Sequence, residues 1–128
     1  MKVCNLLLWT GLGLFSLAPL ASLTADVDQG KDVFAKRCSG CHSLDVDKEG
    51  PRLRGVFGRK AGSVAGFPYS DAVRNSGILW DENHLNRWLE NPEQMVKDTN
   101  MEFRVSDPAE RASLIAFLKS AASKSDAK

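Results

Sequence analysis

Apolar positions along this chain fall into segments of different period. From Val3 to Ala25 there is no charged residue, and Leu6, Leu7, Leu8 and Trp9 lead into an apolar run ending at Leu20. Such a run behind a single Lys2, closing on Pro19 and the small residues between Ala21 and Ala25, predicts a secretory signal over residues 1–25. The competing reading is an uncleaved anchor, since Val3 to Leu23 is long enough to cross a bilayer. Either way the remainder of the chain works outside the cytoplasm. A sparse set, Val27, Val33 and Phe34, predicts a helix from about Asp26 to Arg37, capped by Asp26 or Asp28, which must dock on another helix to persist. After Asp81, the spacing of Leu85, Trp88 and Leu89 predicts a second helix that stops at Asn91 before Pro92. A third opens on Asp107, Pro108, Ala109 and Glu110: an acidic cap, a proline in the first turn and a glutamate placed for a capping box. Its inner stripe is Leu114, Phe117, Leu118 and Ala121, spaced three and four apart.

Between His42 and Trp80 no period holds, and glycines recur from Gly50 to Gly77 with Pro51 and Pro68 among them. A stretch of this kind closes no core by itself. Folded against a ligand, it predicts Ω-type loops forming one wall of a pocket. The Ser-, Ala- and Lys-rich end predicts a flexible tail at 123–128, which leaves 26–122 as the domain. There is no internal repeat.

Composition adds little until the chain is divided. At 128 residues, 43% hydrophobic and 26% charged, it is an ordinary soluble globule. The 17 basic residues less Lys2 leave 16, against 16 acidic ones, so the chain beyond residue 25 is formally neutral. Nucleic acid, which asks for a basic surplus, is not an expected partner.

The chemistry sits in one string. Cys4 lies inside the signal, leaving Cys38 and Cys41 with His42 directly after. Cys38-Ser39-Gly40-Cys41-His42 is the attachment signature for c-type haem: two thiols one turn apart add across two vinyl groups, and the adjacent histidine reaches the iron. Three plainer readings compete. A thioredoxin-type dithiol would follow a strand, whereas this string ends a helical stretch. Zinc would need a fourth ligand, and His84 stands alone far along the chain. A disulfide between Cys38 and Cys41 would close a very small loop and stabilise little.

The wider order of blocks resembles class I cytochrome c, and in particular the mitochondrial-like soluble or membrane-anchored cytochromes c of bacteria. The matching blocks are Gly50 to Gly62, Gly66 to Ala72, Gly77 to Trp80, Leu89 to Pro92, Thr99 to Met101 and Leu114 to Leu118. The resemblance implies an all-α fold, with three main helices, short helices and Ω-type loops wrapped around one covalently bound haem per chain. It implies Cys38 and Cys41 as thioether positions, His42 as proximal and Met101 as distal axial ligand, a pair that raises the reduction potential. Met95 and His84 are weaker candidates for the distal position. Pro51 would accept a hydrogen bond from the His42 ring, Tyr69 and Trp80 would bind a propionate with Arg59 nearby, and Thr99 would line the pocket beside Met101. Gly30 and Phe34 would meet Leu114 and Phe117, while Phe103 reads as core.

Departures from the pattern are informative. Trp88 stands where the family often has a tyrosine beside the methionine, which alters one polar contact. Val73 replaces a polar residue, which makes the pocket drier. The loop after His42 is shorter and acidic, with Asp45, Asp47 and Glu49. Of the usual lysine ring only Lys31, Arg37 and Arg104 remain, with Glu93, Asn100 and Glu102 interrupting it, so steering by charge should be weak. The implied function is one-electron transfer, not catalysis, by a periplasmic monomer docking transiently with redox complexes. These run from a cytochrome bc complex or dehydrogenase to a terminal oxidase or photosynthetic centre. The alternatives are a dedicated acceptor for one periplasmic dehydrogenase, or a haem peroxidase, which would want an open distal site.

Overall fold

The computed structural model describes residues 21–123, with side chains over 26–122. The signal-or-anchor segment up to residue 20 and the tail from 124 lie outside the described residues. Helix α1 spans Ala21–Val33 and runs on through a π turn at Phe34–Cys38; α2 is Asp71–Asn75, α3 Glu82–Glu90, α4 Pro92–Met95 and α5 Pro108–Ser123. There is no strand among the described residues, only an isolated bridge between Lys60 and Leu79. No helix among them is long and apolar enough to cross a membrane.

The core forms where α1 crosses α5 and α3 packs beside them. Gly30 makes the crossing possible: a Cβ at this position would lie 1.9 Å from the carbonyl oxygen of Ser113. Just beyond it, the rings of Phe34 and Phe117 meet at 5.5 Å. The expected stripe of α5 is buried at Leu114, Leu118 and Ala121, joined by Ile115, while Phe117 is partly covered.

Three helix ends differ from expectation. The first helix does not open at an Asp26 or Asp28 cap: it is already helical at Ala21, the first described residue, because the Ala-Ser-Leu-Thr-Ala stretch holds no breaker and the turns continue through it. Asp107 caps α5 as expected, its carboxylate accepting from Ala109 N–H at 2.8 Å. Glu110 does not close a capping box; its carboxylate pairs with Arg37 at 2.9 Å and ties the end of α1 to the start of α5. Helix α3 follows its prediction, with Asp81 accepting from His84 N–H and Asn91 ending it.

The loop region from Gly50 to Trp80 is sewn by backbone hydrogen bonds. Gly58 N–H donates to Trp80 O, Trp80 N–H to Arg59 O, and Ala61 N–H to Ile78 O. Gly62, at φ +71°, passes so close to α2 that a Cβ would sit 2.7 Å from the Arg74 Cα.

Candidate functional site

One side of the site is built where α1 ends. In the π turn, Ser39 N–H donates to Phe34 O, and then both Cys41 N–H (3.1 Å) and His42 N–H (2.8 Å) donate to Cys38 O. This tight reversal gathers the half-buried Cys38 thiol, the exposed Cys41 thiol and the His42 ring into one cavity of about 340 Å³. Burial pushes the Cys38 thiol up to about 11, so it stays protonated at neutral pH. The Nδ1 of His42 lies 2.8 Å from Pro51 O. A carbonyl can only accept, so Nδ1 carries the proton and the Nε2 lone pair is left for a metal. Burial lowers the His42 pKa against the opposing Pro51 hydrogen bond, and Lys48 lowers it further, which favours the neutral ring.

Gly50 completes this side. An added Cβ would lie 2.2 Å from His42 Cε1, so the imidazole packs directly on glycine backbone. Gly50 N–H donates to Cys41 O at 2.8 Å, closing the acidic loop back on the cysteine turn. That loop spends two of its carboxylates on neighbouring arginines, Asp47 on Arg52 and Asp45 on Arg54.

The opposite contribution comes from the loop between α4 and α5. Met101 lines the same cavity, and the Trp88 indole N–H points at its Sδ from 3.1 Å. Trp88 thus supplies an indole N–H to the sulfur. Trp88 is held in turn against Trp80, edge to face at 5.2 Å. Thr99, buried, accepts from Met101 N–H at 3.4 Å. The loop is anchored at its far end by Val105 N–H on Leu89 O and by Arg111. That guanidinium, only 6% exposed, donates to Val105 O, Ser106 O and Asn86 Oδ1.

Polar groups deeper in the cavity are few. Arg59 lines it and donates to the carbonyls of Arg52 and Arg54, and burial lowers its pKa. The Tyr69 hydroxyl accepts from Val64 N–H at 3.3 Å, and burial raises its pKa. Val73, Leu85, Leu114 and Leu118 supply apolar lining.

Some candidates stand elsewhere. Met95 lies by a separate small pocket with Arg87 and Gln94. His84 is outside the cavity lining, with Nδ1 2.9 Å from Asp81 at the start of α3. Phe103, read as core, instead lines the cavity at its opening, 45% exposed, while Val105 takes the buried place. Sequence reasoning gave no role to Gly50 or Arg111. Arg111 carried a signal, since it lies on the same stripe as Leu114 and Leu118, where a charge demands partners.

The family model for cytochrome c matches residues 27–122. This chain belongs to the cytochrome c family. Its relatives include the cytochrome c of Arabidopsis thaliana, 43% identical over 102 residues that cover 77% of this chain and 91% of that protein. The cytochrome c of Theileria parva is 42% identical over 77% of this chain and 89% of its own. Among solved structures, cytochrome cH from Methylobacterium extorquens matches with a TM-score of 0.71 at 39% identity, over 74% of this chain and 98% of that one. The fold is thus the all-α class I cytochrome c fold, and the protein is a haem-based electron carrier with one covalent c-type haem.

The cavity suits that group by its own donors. Two thiols of the kind that add to vinyl groups, and a neutral imidazole and a thioether of the kinds that ligate haem iron, line one apolar enclosure. The Trp80 indole, 8% exposed, has no protein acceptor among the described residues, a place an anionic carboxylate would satisfy.

Proposed function

We propose that Cys38 and Cys41 form the two thioether links, that His42 and Met101 are the axial ligands, and that the chain carries single electrons between redox complexes. Bound in this way, the haem supplies a ferrous–ferric couple. The observation that carries the reading is that Pro51 frees one imidazole nitrogen while Trp88 orients one thioether sulfur, both toward the same cavity. With both axial places taken by side chains, no position is left for a substrate, which argues for transfer over peroxidase chemistry. A thioether opposite an imidazole favours the ferrous state and sets a high potential. Tyr69, Trp80 and Arg59 hold the propionates, and Thr99 steadies the methionine. The acidic interruptions of the lysine ring favour a dedicated donor, such as one dehydrogenase, as a second reading beside a cytochrome bc complex. Residues 1–25 direct the chain to the periplasm, where it works as a monomer.

The test is Met101→Ala. The variant should lose the thioether-to-iron charge-transfer absorption and show a lower potential; an unchanged spectrum overturns the ligand assignment. Replacing both cysteines should abolish haem staining on a denaturing gel.

A further inference from the structure

The stretch that leads from α4 to Met101 has little to hold it. Once Val96 N–H has closed on Pro92 O, the residues from Lys97 to Asn100 make no backbone-to-backbone hydrogen bond among the described residues. The chain nevertheless turns sharply there. Asp98 sits at φ 63°, in the left-handed region that residues with a side chain seldom adopt, and the turn sends Thr99 inward, where only 8% of it stays exposed. What meets this turn is Glu93, the second residue of α4. Its Oε1 accepts from Asp98 N–H at 3.2 Å, and its carboxylate has no ion-pair partner among the described residues. Thr99 in turn accepts from Met101 N–H, so the contacts run from Glu93 through Asp98 and Thr99 to the methionine. A lysine at position 93 would have no acceptor to offer Asp98. The acidic residue that breaks the lysine ring therefore has a use of its own.

We propose that Glu93 is a positioning residue for Met101: its carboxylate braces the Asp98 turn and keeps the thioether in the cavity against small ligands that compete for the same place. The inference rests on Met101 being an axial ligand. The apparent affinity for an outside ligand scales with the fraction of molecules in which the methionine has left its place, so a weaker brace is read directly as tighter binding.

The test uses the haem-loaded protein and two readouts. The ferric form is titrated with imidazole and followed by loss of the thioether-to-iron absorption, and exchange of the Asp98 amide hydrogen is measured by NMR in the reduced form. Glu93→Ala and Glu93→Lys should each bind imidazole about fivefold more tightly than the parent and exchange the Asp98 amide about fivefold faster, the effect of one lost hydrogen bond. Glu93→Gln keeps an acceptor oxygen and should stay within about twofold of the parent in both measurements. Glu82→Ala removes a carboxylate from the first turn of α3 and should also stay within about twofold. Helical circular dichroism should be the same in every variant. The proposal falls if Glu93→Ala leaves either readout unchanged, if Glu82→Ala matches it, or if Glu93→Gln matches it, since charge and not the acceptor would then be at work. If the parent protein lacks the thioether absorption, the ligand reading is overturned, and exchange at Asp98 still judges the brace.

Discussion

Around His42 the chain is tied at almost every step, whereas around Met101 it is held at its ends and by two side chains. On the first side, the cysteine turn, the Gly50 contact, the Pro51 carbonyl and the Asp47–Arg52 and Asp45–Arg54 pairs fall within a short stretch of sequence. On the second, the loop leaves α4 through Val96 N–H on Pro92 O and re-enters through Val105 and Arg111, with Trp88 and Thr99 the contacts to the methionine itself. The loop also contains Asp98 at φ 63°, the sole non-glycine residue with positive φ among the described residues. The difference teaches that the two proposed ligand positions should fail in different ways. The histidine should go only with the fold, the methionine before it.

The sharpest way to break the tight side is Gly50→Ala. Its methyl has no space beside the imidazole, so the ring or the loop must shift, at a cost of about 3 kcal/mol. The thermal midpoint should drop by more than 10 °C and histidine ligation should change with it; a midpoint within a few degrees of the parent would show that the loop yields.

Arg111→Met comes next and strikes the loose side. It removes a buried cation and leaves the carbonyls of Val105 and Ser106 without their donor, about 2 kcal/mol of destabilisation. The thioether absorption should disappear at a lower denaturant concentration than helical circular dichroism. If the two signals still vanish together, the two sides are not independent.

Trp88→Phe keeps the ring and deletes the N–H, costing about 1 kcal/mol. A sulfur freed from this donor is a stronger electron donor to iron, so the potential should fall while helical content is unchanged. An unaltered potential would make Trp88 a packing residue only.

The smallest effect is expected from Asp98→Gly, which relieves a left-handed backbone conformation worth about 1 kcal/mol. The hydrogen bond from this residue's N–H to Glu93 survives the change. The thioether absorption should then persist to slightly higher denaturant, narrowing the gap between the two sides.

Legibility followed how locally each feature is encoded. The helices were written in periods of three and four with caps nearby, and Asp81, Asn91 and Asp107 cap as their sequence context dictates. The start of α1 was misread because an aspartate is a good cap only where the preceding residues do not themselves continue the helix. That Cys38, Cys41, His42 and Met101 belong to one site was legible from a short string and from resemblance, and the four line one cavity. Gly50 was not, because its role depends on the absence of a side chain; for Arg111 the stripe of α5 showed a buried charge but not the loop carbonyls that hold it. Phe103 was misplaced for the converse reason: composition treats a phenylalanine as core, and only the path of the loop sets it at the mouth of the cavity.

The π turn at Phe34–Cys38 has a consequence for how this chain can change in length. Each residue of a helix rotates its successors by about 100°. The turn therefore fixes the phase between the face that meets α5 through Gly30 and the direction in which the two thiols emerge. Inserting or deleting one residue between Gly30 and Cys38 would aim the cysteines at solvent or at α5, even if every side chain were retained. The glycine-rich stretch from Gly55 to Gly66 carries no helical phase; its register is set instead by the hydrogen bonds that Gly58, Arg59 and Ala61 make with Ile78 and Trp80.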